Sequence, residues 1–326
     1  GTVIRPVSDA DEYDIDLVCL LKNAKYKSEA EIKNIVGNRL KEHKTYDKML
    51  QKEGKRCWTL CYDEFHMDIL PCVPNDSFYG EPYFTEIKLT HKLDNGSYIA
   101  KYSNPYKYHE WFEKRMETQT IEVRKAFAAK NNVEIDKVPL YKIKTPLQQA
   151  VQLLKRHRDI MYDKLPEARK KNAPISIIIT TLAALAYNNE SNLYDALNSI
   201  VSKMENYVEK DGDTYKILNP VMQEENFADK WNKEPAKANE FFCWLQCAKN
   251  EIITEPLNAQ GVHILTGNLE TCFGKNIVQR SIKDEGKAIK FARENKSLYV
   301  SGLKGGLQTS STNTAKKVGG HTFFGK

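Results

Sequence analysis

The sequence predicts an α+β fold, in which a small mixed sheet with helices is followed by a helical lobe. In the first part of the chain, short apolar segments alternate as strands do, and a helical pattern lies between them. From residue 146 onwards, apolar residues recur mainly at helical spacing. The last segment is rich in Gly, Ser, Thr and Lys. We therefore expect three parts: residues 1–145, residues 146–300, and a flexible tail at 301–326.

The first part should alternate strands with helices. Ile32, Val36 and Leu40 recur at helical spacing, which predicts a helix before the second strand. Asp94-Asn95-Gly96 is typical of a tight turn after the fourth strand. The predicted elements are strands at 13–21, 56–62, 64–72 and 85–93, a helix at 29–52, and a helix from Tyr106 towards residue 130.

The second part should be almost wholly helical. A polar stretch at 130–144 connects it to the first part. Thr145 is a suitable cap, and Pro146 suits the first turn of the helix that follows. The predicted helices are 146–163, 174–187, 191–209, about 223–252, and 281–295.

The composition is that of an ordinary globular protein. The chain has 326 residues, with 41% hydrophobic and 28% charged residues and a formal charge of +6. This mild positive excess suits an anionic small molecule such as a nucleotide about as well as a nucleic acid. No apolar run approaches the ~20 residues of a membrane span. Seven scattered cysteines indicate reduced thiols, so we expect a cytoplasmic protein.

Three carboxylates are the most informative feature. Residues i and i+2 of a strand point to the same face, so Asp14 and Asp16 should project together while Ile15 and Leu17 enter the core. Asp68 lies on a second strand with the same alternation. Three converging carboxylates repel one another unless cations neutralise them, and two Mg²⁺ ions holding a phosphate would do so. The competing interpretation makes them turn or edge carboxylates.

Two further sets of side chains are weaker candidates. His66 shares a strand face with Asp68 and is either a ligand or proton carrier, or a neighbour with a satisfied hydrogen bond. Tyr79, Tyr83 and Phe84 follow the third aspartate, and each could stack on a base or serve packing.

Further motifs accompany the two aspartate segments Tyr13–Val18 and Met67–Pro71. They are Gly1–Pro6, Ser103–Pro105 before Trp111 and Phe112, Leu153–Arg158, Pro174–Ser176, Asn219–Val221, Glu225–Phe227, and Lys230 with Trp231. Together these segments resemble the bacterial CD-NTases, relatives of cyclic GMP-AMP synthase and oligoadenylate synthase with the DNA polymerase beta-like nucleotidyltransferase fold. The resemblance covers most of residues 1–295.

The resemblance implies a Mg²⁺-dependent cyclic oligonucleotide synthase, with Mn²⁺ as a substitute ion. Asp14, Asp16 and Asp68 would be the catalytic metal ligands, and Lys155 and Ser176 would contact the terminal phosphates. ATP and other NTPs would be joined with release of pyrophosphate into a cyclic di- or trinucleotide that signals in anti-phage (CBASS) defence. The alternatives are a linear 2′-5′ or 3′-5′ oligonucleotide or RNA-end transferase, and a catalytically silent nucleotide-binding scaffold. For Lys155 the competing interpretation is a solvated basic face, and for Ser176 it is merely a residue at the start of a helix.

Three further expectations follow from the resemblance. Family members carry a Gly-Ser loop and a helix upstream of the position of Gly1; we expect the natural chain to continue upstream, the alternative being an inactive protein without that loop. The tail, with its apolar His321–Gly325 segment, is either a solvated spacer or the target of a CBASS accessory protein. We expect neither a membrane association nor a DNA requirement.

Overall fold

The computed structural model describes residues 13–63, 65–75, 86–301, 307–309 and 315–319, without the side chains of residues 13, 14 and 301. The strands are β1 Tyr13–Leu20, β2 Trp58–Cys61, β3 Phe65–Pro74, β4 Ile87–Lys92, β5 Tyr98–Ser103, β6 Glu209–Asp211, β7 Thr214–Lys216, β8 Leu218–Asn219, β9 Met222–Asn226, β10 Tyr299–Ser301, β11 Leu307–Gln308 and β12 Ala315–Lys317. The helices are α1 Glu29–Glu42, α2 Lys44–Met49, α3 Pro105–Arg115, α4 Glu117–Asn131, α5 Pro146–Asp163, α6 Glu167–Lys170, α7 Ser176–Ala186, α8 Leu193–Lys203, α9 Pro235–Lys249, α10 Glu255–Asn258, α11 Val262–Phe273 and α12 Lys275–Glu294.

A mixed sheet organises the first part of the chain, which confirms the predicted α+β class. Its strand order is β1-β3-β4-β5, and β2 also pairs with β3. β1 runs parallel to β3, whereas the β2–β3, β3–β4 and β4–β5 pairs are antiparallel. The predicted turn at residues 94–96 joins β4 to β5, and Gly96 has the positive φ of 85° that favours glycine.

Helix α1 covers one face of β2 and β3. Val36 and Leu40 on α1 form a buried cluster with Trp58, Leu60 and Ile69 of the two strands. Gly37 permits the close approach, because a Cβ there would lie 2.2 Å from the Trp58 ring. The Trp58 indole Nε1 donates a 2.9 Å hydrogen bond to the Lys33 carbonyl, so this bond joins α1 to β2 in addition to the apolar packing.

The predicted burial of β1 is wrong for its first half. Ile15 and Leu17 are 43% and 47% exposed. The cause is position: among the described strands β1 pairs only with β3, and the α1 cluster includes only the later residue Cys19 of β1. Alternation alone does not tell which end of an edge strand a helix covers.

The helical part begins as predicted, with α5 at Pro146–Asp163. Thr145 caps it through a capping box with Gln148. The predicted helix at about 223–252 is wrong in its first third, where β8 and β9 form a hairpin before α9. Asn226 explains the difference: its Oδ1 accepts bonds from the backbone N–H groups of Ile217 and Ala228, which stabilises irregular backbone instead of helix.

Arg115 connects the two predicted lobes. At the end of α3, its guanidinium donates to the carbonyls of Ala184, Leu185 and Tyr187 over 2.7, 3.3 and 2.8 Å. These are the open carbonyls at the C-terminus of α7, where a cation also complements the helix dipole. The bonds fix the end of α7 relative to α3.

The chain divides into two compact units, residues 1–253 and 254–326. Both predicted lobes meet in the first unit, and the boundary at residues 145 and 146 stays a prediction. Within the second unit, β10 pairs antiparallel with β11 and β12, so the described residues of the predicted flexible tail include short paired strands. Among the described residues, none of the helices is both long and apolar enough to cross a bilayer.

Candidate active site

The pairing of β1 with β3 places Asp16 directly opposite Asp68, and Asp14 opposite His66. Neighbouring strands lie about 4.8 Å apart, and paired residues of parallel strands project to the same face. Asp16 is exposed and Asp68 is half-buried, so this face is open to solvent at Asp16. Asp14 is placed by its backbone alone. The structure thus brings two of the three predicted carboxylates together.

Asp68 is hydrogen-bonded from the side opposite Asp16. Thr59 on β2 lies across from Asp68, and its Oγ1 donates a 2.5 Å hydrogen bond to Asp68 Oδ1. The Cys57 Sγ lies 3.7 Å from the same Thr59 hydroxyl. Burial raises the pKa of the Cys57 thiol, and the Asp68 charge acts in the same direction. The Asp68 carboxylate therefore accepts a bond from the Thr59 hydroxyl, and a neutral Cys57 thiol lies next to that hydroxyl.

Lys33 is a buried cation that the sequence analysis missed. Its ammonium is fully buried and donates to the carbonyls of Gly54 and Cys57 over 2.9 and 3.0 Å. Burial lowers the pKa of Lys33 to about 8, although Glu53 and other negative groups partly offset this. A signal was present, because Lys33 lies three residues before Val36 and seven before Leu40, on the apolar stripe of α1.

The carboxylate face fits a hard divalent cation. Mg²⁺ prefers oxygen ligands, and carboxylates on adjacent strands offer several on one surface. The Thr59 bond occupies one acceptor position of Asp68, and a carboxylate has about four. Their role as metal ligands stays a prediction.

Lys155 and Ser176 belong to a second cluster, organised by Arg158. Arg158 lies one turn after Lys155 on α5, and its guanidinium donates 3.0 Å bonds to Ser176 Oγ and to the Pro174 carbonyl. Asp159 accepts from the Nε of Arg158 over 2.7 Å. Burial lowers the pKa of Lys155 to about 8, and the Arg158 charge acts in the same direction. Ser176 begins α7, where backbone N–H groups are open to an anion.

The competing interpretation of a solvated basic face is wrong for two residues of this helix. Lys155 is 9% exposed and His157 is 1% exposed. Trp244 Nε1 donates to His157 Nδ1, so His157 Nε2 carries the proton and donates to Glu251 over 3.1 Å. His157 thus serves packing between α5 and α9.

Other predicted candidates are only partly located. His66 is half-buried on β3, and its role stays a prediction. Tyr79, Tyr83 and Phe84 lie outside the described residues.

Comparisons with known proteins agree with this arrangement. Residues 1–71 match the family model of the nucleotidyltransferase domain of cyclic GMP-AMP synthase DncV-like proteins. A c-di-GMP synthase of Roseivirga ehrenbergii is 34% identical over 264 residues, which are 77% of this chain and 64% of that protein. The cyclic dinucleotide synthase CdnG of Bradyrhizobium diazoefficiens is 24% identical over 84% of this chain and 67% of its own length. The chain thus spans less than two thirds of the Roseivirga relative.

Solved structures share the fold. CdnG of Bradyrhizobium diazoefficiens in complex with GTP superposes with a TM-score of 0.62 at 21% identity, over 85% of this chain and 80% of that one. DncV of Vibrio cholerae gives a TM-score of 0.57 at 13% identity, over 84% of this chain and 66% of that one. The paired aspartates on β1 and β3, the shared nucleotidyltransferase fold and the sequence matches agree: over most of its length, the chain is similar to the bacterial CD-NTases.

Proposed function

We propose that this protein is a cyclic oligonucleotide synthase that joins NTPs into a cyclic di- or trinucleotide in anti-phage defence. The observation that carries the proposal is the placement of Asp16 opposite Asp68 on paired parallel strands. The relatives support it, since the Roseivirga protein is a c-di-GMP synthase and DncV of Vibrio cholerae has been solved with the linear intermediate 5′-pppA(3′,5′)pG.

In each step, a ribose hydroxyl oxygen of one nucleotide bonds to the α-phosphorus of another. The bond between the α-phosphorus and the α,β-bridging oxygen breaks, pyrophosphate leaves, and the proton of the attacking hydroxyl is released to solvent. Asp14, Asp16 and Asp68 would hold Mg²⁺ or Mn²⁺, which when bound neutralises phosphate charge and makes the hydroxyl more acidic. With cations bound, the carboxylate face would orient the triphosphate beside the attacking hydroxyl, and the last of two or three such transfers closes the ring.

Lys155 should strengthen NTP binding more than it strengthens the chemical step. A phosphate oxygen near this buried ammonium would stabilise the charged state that burial disfavours. We expect Lys155→Met to raise the KM for NTP about tenfold, since a bond to a charged group contributes about 1.5–3 kcal/mol. Steady-state kinetics of pyrophosphate release measures this, with the exposed Lys142→Met as the matched control. An unchanged KM in Lys155→Met would remove Lys155 from the phosphate site.

Product analysis tests the function itself. The full-length protein with all four NTPs and Mg²⁺ should release pyrophosphate and form a product that phosphatase does not degrade, identified by mass spectrometry. A phosphatase-sensitive ladder would instead indicate a linear transferase. NTP binding without pyrophosphate release would indicate a silent scaffold.

Two predictions about the cellular setting belong to the same proposal. An accessory protein acting on the C-terminal segment is proposed from the apolar residues His321–Gly325, which lie outside the described residues. A solved complex of Escherichia coli CdnC with HORMA-deltaN is an example of a relative bound to a protein partner. We also propose a cytoplasmic location and activity without DNA.

A further inference from the structure

Thr59 forms a hydrogen bond to Asp68 from the side opposite Asp16. β1 and β2 pair with opposite edges of β3, so Asp68 has Asp16 on one side and Thr59 on the other. The Thr59 hydroxyl donates to Asp68 Oδ1 over 2.5 Å. This bond joins a neutral side chain of one strand to a candidate metal ligand of the next.

The Thr59 hydroxyl is itself held in one orientation. An ionised carboxylate only accepts, so the hydroxyl proton points to Asp68 and the Cys57 thiol, 3.7 Å away, is left to donate to the hydroxyl oxygen. The Cys57 carbonyl accepts from the buried Lys33 ammonium, and the Thr59 carbonyl accepts from the backbone N–H of Gln51 over 2.9 Å. A continuous chain of bonds therefore runs from α1 to Asp68.

We propose that Thr59 is a positioning residue that fixes the Asp68 carboxylate for divalent-cation binding. The inference rests on the proposed function, because that function needs the cation. Without the hydroxyl, the Asp68 carboxylate can rotate away from the like charge of Asp16 when no cation is bound. Cation binding must then fix the carboxylate in one orientation, and this loss of side-chain entropy reduces the binding free energy. Removing such an outer partner typically costs about 10–100-fold in metal affinity.

The test compares three substitutions in the same sheet. Thr59→Val removes the donor at nearly constant shape, and Thr59→Ser keeps the hydroxyl. Thr90→Val is the matched control, because Thr90 on β4 is fully buried and its hydroxyl has no hydrogen-bond partner among the described residues. The primary readout is the Kd for Mn²⁺ without nucleotide, measured by electron paramagnetic resonance of free Mn²⁺.

We expect Thr59→Val to weaken Mn²⁺ binding about tenfold or more and to raise the Mg²⁺ concentration for half-maximal pyrophosphate release by a similar factor. Thr59→Ser should stay within about twofold of the unsubstituted protein, and Thr90→Val should not change the affinity. A merely structural role would lower the unfolding midpoint while leaving the Kd unchanged.

Several outcomes would overturn the inference: unchanged Mn²⁺ affinity in Thr59→Val, an equal loss in Thr59→Ser, an equal loss in Thr90→Val, or no Mn²⁺ binding by the unsubstituted protein. If Thr59→Val does not fold, Thr59→Ala against Thr59→Ser makes the same comparison. The proposed function can fail separately. A protein that binds Mn²⁺ yet releases no pyrophosphate is no synthase, while the Kd values still decide the role of Thr59.

Discussion

Replacing Asp14 and Asp16 with Asn should abolish Mg²⁺-dependent pyrophosphate release without unfolding the protein. Asn keeps the size of the side chain but removes the charge that a divalent cation requires. We expect a loss of at least about 1,000-fold, equal to about 4 kcal/mol of transition-state stabilisation. The measurement is the rate of pyrophosphate release at saturating NTP and Mg²⁺.

The same variant should unfold at an unchanged or higher temperature. Asp16 faces Asp68 across the strand pair, so removing its charge relieves repulsion between like charges when no cation is bound. Asp47→Asn on α2 is the matched control, because Asp47 is also exposed and lies outside the sheet. Full activity in the double variant would refute the proposed mechanism, and full activity with retained Mn²⁺ binding would also remove both aspartates from the cation site.

The sequence was sufficient for elements whose signals are local. The Thr145-Pro146 start of α5 needs only the cap and the first-turn proline, and the turn before β5 needs only Asp94-Asn95-Gly96. The candidate site could also be predicted from the sequence, because the alternation around Asp16 and Asp68 predicts two strands with carboxylates on one face. Predicting which strands are neighbours in the sheet required the family resemblance, because alternation does not identify the partner strand.

Features that depend on contacts between separate segments were not predicted from the sequence. Whether Ile15 is buried depends on which end of β1 a helix covers, and no local pattern encodes that. The β8–β9 hairpin replaced a predicted helix because Asn226 bonds to backbone groups on both sides of it. Arg158 was overlooked because its importance comes from Ser176, eighteen positions away on another helix. The misses at Ile15 and Arg158 involve contacts between segments that are distant in sequence, whereas Asn226 acts through groups only nine and two positions away.

Lys33→Met should lower the free energy of unfolding by about 3 kcal/mol at pH 7. Met keeps most of the apolar stem, but the carbonyls of Gly54 and Cys57 lose their donor inside the protein. An acceptor that water cannot reach costs about 1–3 kcal/mol when it loses its donor; both carbonyls belong to half-buried residues, and removing the buried charge offsets part of the loss. Denaturant unfolding measures the loss, and the exposed Lys48→Met on α2 should leave stability nearly unchanged.

The cost of Lys33→Met should also grow with pH. The pKa of Lys33 is about 8 in the folded protein, below its ordinary value of 10.5, so between these values the unfolded chain binds more protons. The contribution of Lys33 to the free energy of unfolding therefore rises between pH 8 and pH 10, by about 2 kcal/mol. Lys155 has a similarly lowered pKa in both proteins, so its contribution cancels in the difference. A difference in unfolding free energy that stays constant from pH 8 to pH 10 would show that Lys33 does not lose its proton there. In that case the two carbonyl partners would stabilise the ammonium at least as much as burial destabilises it.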